Sequence, residues 1–279
     1  MGASAKPLGH IVLVGTSTLR NALAKRGLLQ SVDLGGLGID EVAGFLEKCV
    51  SDSSECGGGR AYEALRVVSR LVLSYPYEMS AELNGMKPWL EALKGGYRGA
   101  VGKVVLLETD TISGNASGSI LEGVFSEYGV EVERATVVRL GVPGYFVEGI
   151  RNLKSSIVGY AKMLEGEGYC PLINLTGGFK PESAIALASS IGRIPLAYYI
   201  HESFRDTIYI PLYPLADPRT ARDSISEAGY RGRWAEFRDP PEWLKHLACT
   251  LAPVKKARIT GESILLSVDM LETLKALIE

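Results

Sequence analysis

The sequence predicts an α/β protein built on an open, mostly parallel, Rossmann-like sheet, with a small helical or winged C-terminal appendage. Three observations predict it. Short, strongly apolar runs alternate with stretches of helical periodicity from about residue 8 to residue 215. Three of those runs end in small polar turns: Gly15-Thr16-Ser17, Thr109-Asp110-Thr111 and Thr176-Gly177-Gly178-Phe179-Lys180. Beyond residue 216 the alternation stops and the chain turns rich in Arg, Trp and Pro. We therefore divide it into residues 1–215, the Rossmann-like domain, and residues 216–279, the appendage.

Each element follows from local chemistry. His10 to Val14 is the first strand, and the hydroxyls of Thr16 or Ser17 offer caps for a helix through Leu19, Ala22 and Leu23. Leu34 to Gly38 is a glycine-rich connection, with Asp40 as the expected cap of a helix whose apolar face is Val42, Phe45, Leu46 and Cys49. Residues 51–60 carry every loop signal, and Tyr62 to Leu73 form a helix. After Pro76 a second helix is expected from about Ser80, its cap, to Leu93. Val104 to Leu107 is a buried strand, and Ile120, Leu121, Val124, Phe125 and Tyr128 mark the next helix. Val130 to Leu140 supplies a further strand, and Ile150 to Leu164 an amphipathic helix. Pro171 to Ile173 leads into the 176–180 turn, where Pro181 suits a first helical turn. Ile194 to Ile200 and Thr207 to Leu212 read as an antiparallel hairpin at a sheet edge.

Composition limits the function. The 279 residues are 46% hydrophobic and 22% charged, ordinary for a soluble globular chain. The net charge of −2 gives no global pull toward nucleic acid. Residues 217–279 carry ten basic and ten acidic side chains, so duplex DNA is not expected as a partner. Neither a membrane span nor a signal peptide is evident, which points to the cytoplasm. Cys49, Cys56, Cys170 and Cys249 show no C-x-x-C spacing, so neither a zinc site nor a disulfide framework is implied. The three histidines lack H-x-H or H-E-x-x-H spacing, so no metal or cofactor is expected. The first turn is not G-x-G-x-x-G, and Gly102-Lys103 lacks both the earlier glycine and the following Ser or Thr of a Walker loop.

What remains is an anion site at the carboxyl ends of parallel strands. Adjacent Gly177 and Gly178 let the backbone approach a ligand, the following helix presents N–H groups, and Lys180 adds a positive charge. A plain strand-to-helix turn with a surface lysine explains the same stretch less fully. Asp110 reads equally well as a crevice residue or as a turn cap.

Taken together, five stretches resemble a known family. They are Val14 to Ser17, Ser80-Ala81-Glu82-Leu83-Asn84, Thr109 to Gly114, Asn174-Leu175-Thr176-Gly177-Gly178-Phe179-Lys180, and Tyr198-Tyr199-Ile200-His201-Glu202. The combination is similar to the CRISPR-associated Rossmann-fold (CARF) proteins, and more closely to the archaeal subgroup that includes ring nucleases. The likeness spans roughly residues 10–213. It implies a symmetric homodimer that binds a cyclic oligoadenylate, most commonly cyclic tetra-adenylate, across its two-fold axis. It further implies metal-independent cleavage to linear products ending in a 2′,3′-cyclic phosphate. On this pattern Ser17 and Lys180 are the catalytic candidates. The ligand-binding candidates are Gly15, Thr16, Arg20, Asn21, Asp110, Thr111, Thr176, Gly177, Gly178 and Phe179. Relatives that only sense the messenger use the same Ser and Lys, so a non-catalytic sensor or regulator acting through its C-terminal region is the alternative. A C-terminal HEPN ribonuclease is not expected: Arg238 and His246 are too far apart and separated by Pro240-Pro241.

Overall fold

The computed structural model describes residues 6–178, 180–201, 206–261 and 263–278. Its larger sheet joins β1 (Leu8–Val14), β2 (Lys103–Thr109), β3 (Glu131–Val137), β4 (Cys170–Asn174), β5 (Leu196–His201) and β6 (Asp206–Pro211) in the order β3-β2-β1-β4-β5-β6. All neighbours are parallel except β5 and β6, which pair antiparallel as the hairpin predicts. This is the Rossmann-like sheet expected from the alternation.

The central strands explain their composition. Both faces of β1 are covered, so its seven residues are all buried. Leu8, Val12 and Val14 enter the apolar core on one face, Ile11 and Leu13 the core on the other. In β2, Val104 and Leu106 alternate with Val105 and Leu107 in the same way.

Helices fill the connections. Between β1 and β2 lie α1 (Ser17–Ala24), α2 (Ile39–Val50), α3 (Ala61–Ser74), α4 (Pro76–Met79), α5 (Ala81–Gly85) and α6 (Lys87–Lys94). Then α7 (Ile112–Glu127) joins β2 to β3, α8 (Phe146–Gly166) joins β3 to β4, and α9 (Lys180–Ser190) joins β4 to β5. The apolar residues of α8 and α9 cover one face of the sheet, while α1, α2, α3 and α7 share the core on the other.

The expected helix from Ser80 to Leu93 is instead two short ones, α5 and α6, with a further turn of helix, α4, before Ser80. Ser80 leaves the helical region at φ −127° and ψ 124°, and its hydroxyl accepts from Leu83 N–H at 3.2 Å, so it restarts the chain as the cap of α5. Asp40 is not the cap of α2. Gly38 holds that position, and the Glu41 carboxylate three residues on accepts its N–H at 2.6 Å. Although the cysteine spacing implied no disulfide framework, Cys49 and Cys56 are bonded. A compact turn carries the chain from the end of α2 back beside it, with the two Cα atoms 4.8 Å apart, so the bond staples the start of the 51–60 loop to α2. Cys170 and Cys249 are free thiols.

After α10 (Tyr213–Ala216) and α11 (Pro218–Ser226) the chain forms a second, antiparallel sheet, more strand than its composition suggested. Its order is β7-β8-β10-β9, from β7 (Gly229–Arg231), β8 (Trp234–Arg238), β9 (Ala257–Thr260) and β10 (Ser263–Ser267). The helices α12 (Glu242–Leu251) and α13 (Val268–Ile278) pack with it, and their Leu244, Leu247, Leu271 and Leu274 join the core that also holds α3 and Trp89. Trp89 Nε1 donates to Thr250 O at 3.2 Å, tying α6 to α12. Among the described residues no helix is long and apolar enough to cross a membrane.

Candidate functional site

Strand order locates the crevice. The chain steps from β1 to β2 and β3 in one direction, then from β4 to β5 in the other, so the order reverses between adjacent β1 and β4. At such a point the two following loops leave toward opposite faces of the sheet and open a gap at the strands' carboxyl ends. Here those loops are Gly15-Thr16 and the turn after Asn174.

The two turns pack backbone to backbone. A Cβ at Gly177 would lie 2.0 Å from Leu13 O, 2.7 Å from Glu82 Oε1 and 2.9 Å from Gly15 N, so only glycine fits. Gly178 adopts φ +81°, a conformation that L side chains rarely take. Ser183 at the start of α9 donates toward Leu175 O and Gly177 O, both at 3.3 Å, and braces the turn from below.

Glu82 joins the two turns. It is fully buried on α5, and its Oε1 accepts the Gly15 N–H at 2.9 Å. Its Oε2 accepts the hydroxyls of Ser17 at 2.9 Å and Ser80 at 2.7 Å. A buried carboxylate needs such donors to offset lost hydration, and Glu82 has three of them. The backbone carbonyl of Glu82 in turn accepts from Asn174 Nδ2 at 2.8 Å, while Asn174 Oδ1 accepts the Thr176 N–H at 2.9 Å. One short helix thereby grips the ends of both β1 and β4.

The sequence candidates fall into groups. Gly15, Ser17, Gly177 and Gly178 are brought together around Glu82. Gly15 belongs there by close approach, but its N–H is committed to Glu82 and does not point to a ligand as expected. Neither Thr16 nor Ser17 caps α1: Thr16 stands at the cap position without a side-chain bond, and the Ser17 hydroxyl goes to Glu82. Arg20 is exposed on α1, while Asn21 Nδ2 donates to Met79 O at 3.2 Å, a bond between elements. Thr176 Oγ1 accepts the Ile200 N–H at 3.1 Å and anchors the turn to β5. Phe179, Glu202 and the side chain of Lys180 lie outside the described residues; the backbone of Lys180 opens α9.

Asp110 and Thr111 stand apart, at the end of β2. The cap of α7 is Thr111, whose hydroxyl accepts Gly114 N–H at 3.1 Å, and not Asp110, whose Oδ2 accepts Arg139 N–H at 3.0 Å. Both border a cavity of about 900 Å³ that also meets Tyr62, Asn115 and Thr136. Ser17 and the glycine turns do not line it, so this cavity and the Ser17–Glu82 crevice are formed by different residues. Behind the cavity wall the carboxylate of Glu108 is held by Arg134 and Thr136; burial raises its pKa, against the pull of Arg134.

Glu82 was not singled out from sequence as a site residue. The available signal was an acidic residue two positions after a helix-capping serine, in a short stretch between the apolar Met79 and Met86.

Residues 77–213 match the family model described as CRISPR-associated protein (Cas_APE2256). This stretch is similar to a CRISPR-associated family. The matched segment takes in Glu82, Asp110, Thr111 and the whole 174–180 turn. It begins after β1 and Ser17, and it ends before the second sheet. A CRISPR-associated family on a Rossmann-like sheet agrees with the CARF resemblance of the sequence.

Proposed function

We propose that this chain is a ring nuclease of the CARF class, close to the archaeal subgroup its sequence resembles, acting in the cytoplasm in CRISPR signalling. Residues 1–215 bind a cyclic oligoadenylate, cyclic tetra-adenylate in our reading, across a homodimer. The ring is opened without metal: a ribose 2′-OH attacks its own phosphorus and leaves linear products with a 2′,3′-cyclic phosphate. The observation that carries this reading is the Ser17 hydroxyl held at the strand-order reversal, beside the Gly177-Gly178 turn, in a chain similar to a CRISPR-associated family.

The roles follow from position. In-line attack needs the 2′-oxygen, the phosphorus and the leaving oxygen aligned, which Ser17 promotes by holding the ribose. Charge grows on the phosphorane oxygens, where the Lys180 ammonium and the N–H groups opening α9 stabilise it. Asp110 and Thr111 face outer parts of the ligand.

The test is incubation of purified protein with radiolabelled cyclic oligoadenylates in EDTA. Linear products from the wild type are expected, with Ser17→Ala and Lys180→Ala about 10²–10³-fold slower in single turnover. A dimer by light scattering is expected as well, since a two-fold ligand calls for an isologous interface. Tight binding of cyclic tetra-adenylate with no linear product after hours sinks the enzyme reading.

One observation favours a second reading. The second sheet, residues 229–267, lies outside the matched segment yet shares its core, so a sensor that signals through its C-terminal region is the alternative.

A further inference from the structure

Glu82 has no part in the reaction as written above, yet it fixes the direction of the Ser17 hydroxyl. An ionised carboxylate only accepts hydrogen bonds, so the Ser17 proton points at Glu82 Oε2, 2.9 Å away. Ser17 Oγ also receives the Ala81 N–H at a long 3.4 Å. What Ser17 offers a ligand is therefore a lone pair. A phosphate oxygen, itself an acceptor, gains nothing from it. A ribose hydroxyl does.

Resting on the ring-cleavage reading, we propose that Glu82 is a positioning residue that keeps Ser17 as the acceptor of the ribose 2′-OH and receives, through Ser17, the proton this nucleophile releases. In the step, the O2′–P bond forms and the P–O5′ bond breaks. The 2′-OH proton passes to Ser17 Oγ as the Ser17 proton passes to Glu82 Oε2. The leaving 5′-oxygen takes a proton from water, and Glu82 returns its proton to solvent when product departs. No net proton is consumed. Ser80, also donating to Oε2, and Gly15, donating to Oε1, hold the carboxylate so that its geometry survives the transfer.

The substitution Glu82→Gln separates this role from a structural one. The amide is nearly isosteric, and its oxygen can still accept the Gly15 N–H. Its NH₂ then faces Ser17 and Ser80 and must donate, so the Ser17 hydroxyl turns outward as a donor. Such a donor suits phosphate and is useless to the nucleophile. The expected result is binding of radiolabelled cyclic tetra-adenylate within about 3-fold of wild type, with single-turnover cleavage slower by about 10²-fold or more. Parallel loss of binding and rate in a folded variant means that Glu82 only braces the turns, and overturns the proposal. Cleavage within about 3-fold of wild type overturns it too, while leaving the ring-cleavage reading intact. A wild type that binds and never cleaves overturns both. Should Glu82→Gln fail to fold by circular dichroism, a proton inventory on the wild type decides. A rate that falls along a curve with deuterium fraction supports two protons in flight, and a linear fall or no isotope effect overturns the relay.

Discussion

Lowering the pH should destabilise this protein through His10, in the body of β1. The ring is completely buried. Its Nε2 lies 2.9 Å from Ala100 O, which can only accept, so Nε2 carries the proton; Nδ1, 2.8 Å from Tyr198 Oη, accepts the phenol hydrogen. Trp89 stands edge-on at 5.6 Å. A second ring proton would put a charge in this apolar setting and oppose the Tyr198 O–H. Burial accordingly lowers the His10 pKa to about 4 from an ordinary 6.5, with the Ala100 bond working the other way. Between those values the unfolded chain binds the proton that the folded one refuses, so stability rises with pH. The contribution is complete above about pH 6.5 and is lost progressively as pH falls toward 4. Its full size is on the order of 3 kcal/mol, of which about 2 kcal/mol is already lost at about pH 5. Urea titrations of wild type and His10→Gln at about pH 8 and pH 5 measure it, because the carboxylates and the other two histidines cancel in the difference. The wild type should lose about 2 kcal/mol more than the variant over that interval. Equal losses, or a His10 NMR titration with an ordinary midpoint, would refute the reasoning.

Gly177→Ala should cost about 2 kcal/mol or more and displace the β4 turn, since the new methyl meets Leu13 O at 2.0 Å; thermal melting reports the first and ligand binding the second. Replacing Cys49 and Cys56 by serine should cost about 2 kcal/mol, because the bond restricts the unfolded loop; native thiol labelling of the wild type should reach neither. Trp89→Phe removes the donor to Thr250 O and should lower stability by about 1–3 kcal/mol, read by denaturant midpoint.

The sheet was legible because its central strands are buried on both faces and so appear as unbroken apolar runs: His10 to Val14, Val104 to Leu107, Pro171 to Ile173. The glycine turn was legible for a related reason, as close approach leaves no other residue possible at Gly177. Long-range contacts were not. Ser80 was legible as a helix cap, but helical periodicity runs on through residue 93, and nothing local reveals that the helix breaks at Met86 or that Glu82 is aimed inward. The Ser17–Glu82 bond joins residues 65 apart, so a helix cap was the best local account of Ser17. The Cys49–Cys56 bond follows from how the chain turns at the end of α2, which no C-x-x-C pattern announces. The second sheet went unread because β7 is three exposed residues and β9 has one buried position, too short to alternate.

The division of labour in the crevice follows from which donors the fold has already used. Gly15 and Ser17 sit where an anion would be expected, yet both give their protons to Glu82. At the end of β1 the Gly15 N–H and the Ser17 hydroxyl are therefore already spent on Glu82, and neither is left to donate to a phosphate. Attraction for phosphate has to come from the other side of the reversal, where Gly178 turns the backbone and Lys180 begins α9. An edge whose donors are spent, next to a turn that opens a helix, offers a simple anion partners on one side only. It suits a ligand that carries a hydroxyl and a phosphate on adjacent atoms, with the hydroxyl toward Ser17 and the phosphate toward the 177–180 turn. A ribonucleotide linkage has that arrangement and a deoxyribonucleotide linkage does not. Cyclic deoxyoligoadenylates should therefore bind more weakly than their ribose counterparts, by about the 1 kcal/mol or less of one neutral hydrogen bond, because the Ser17 lone pair would lose the hydroxyl that donates to it, while Glu82 keeps its own three donors.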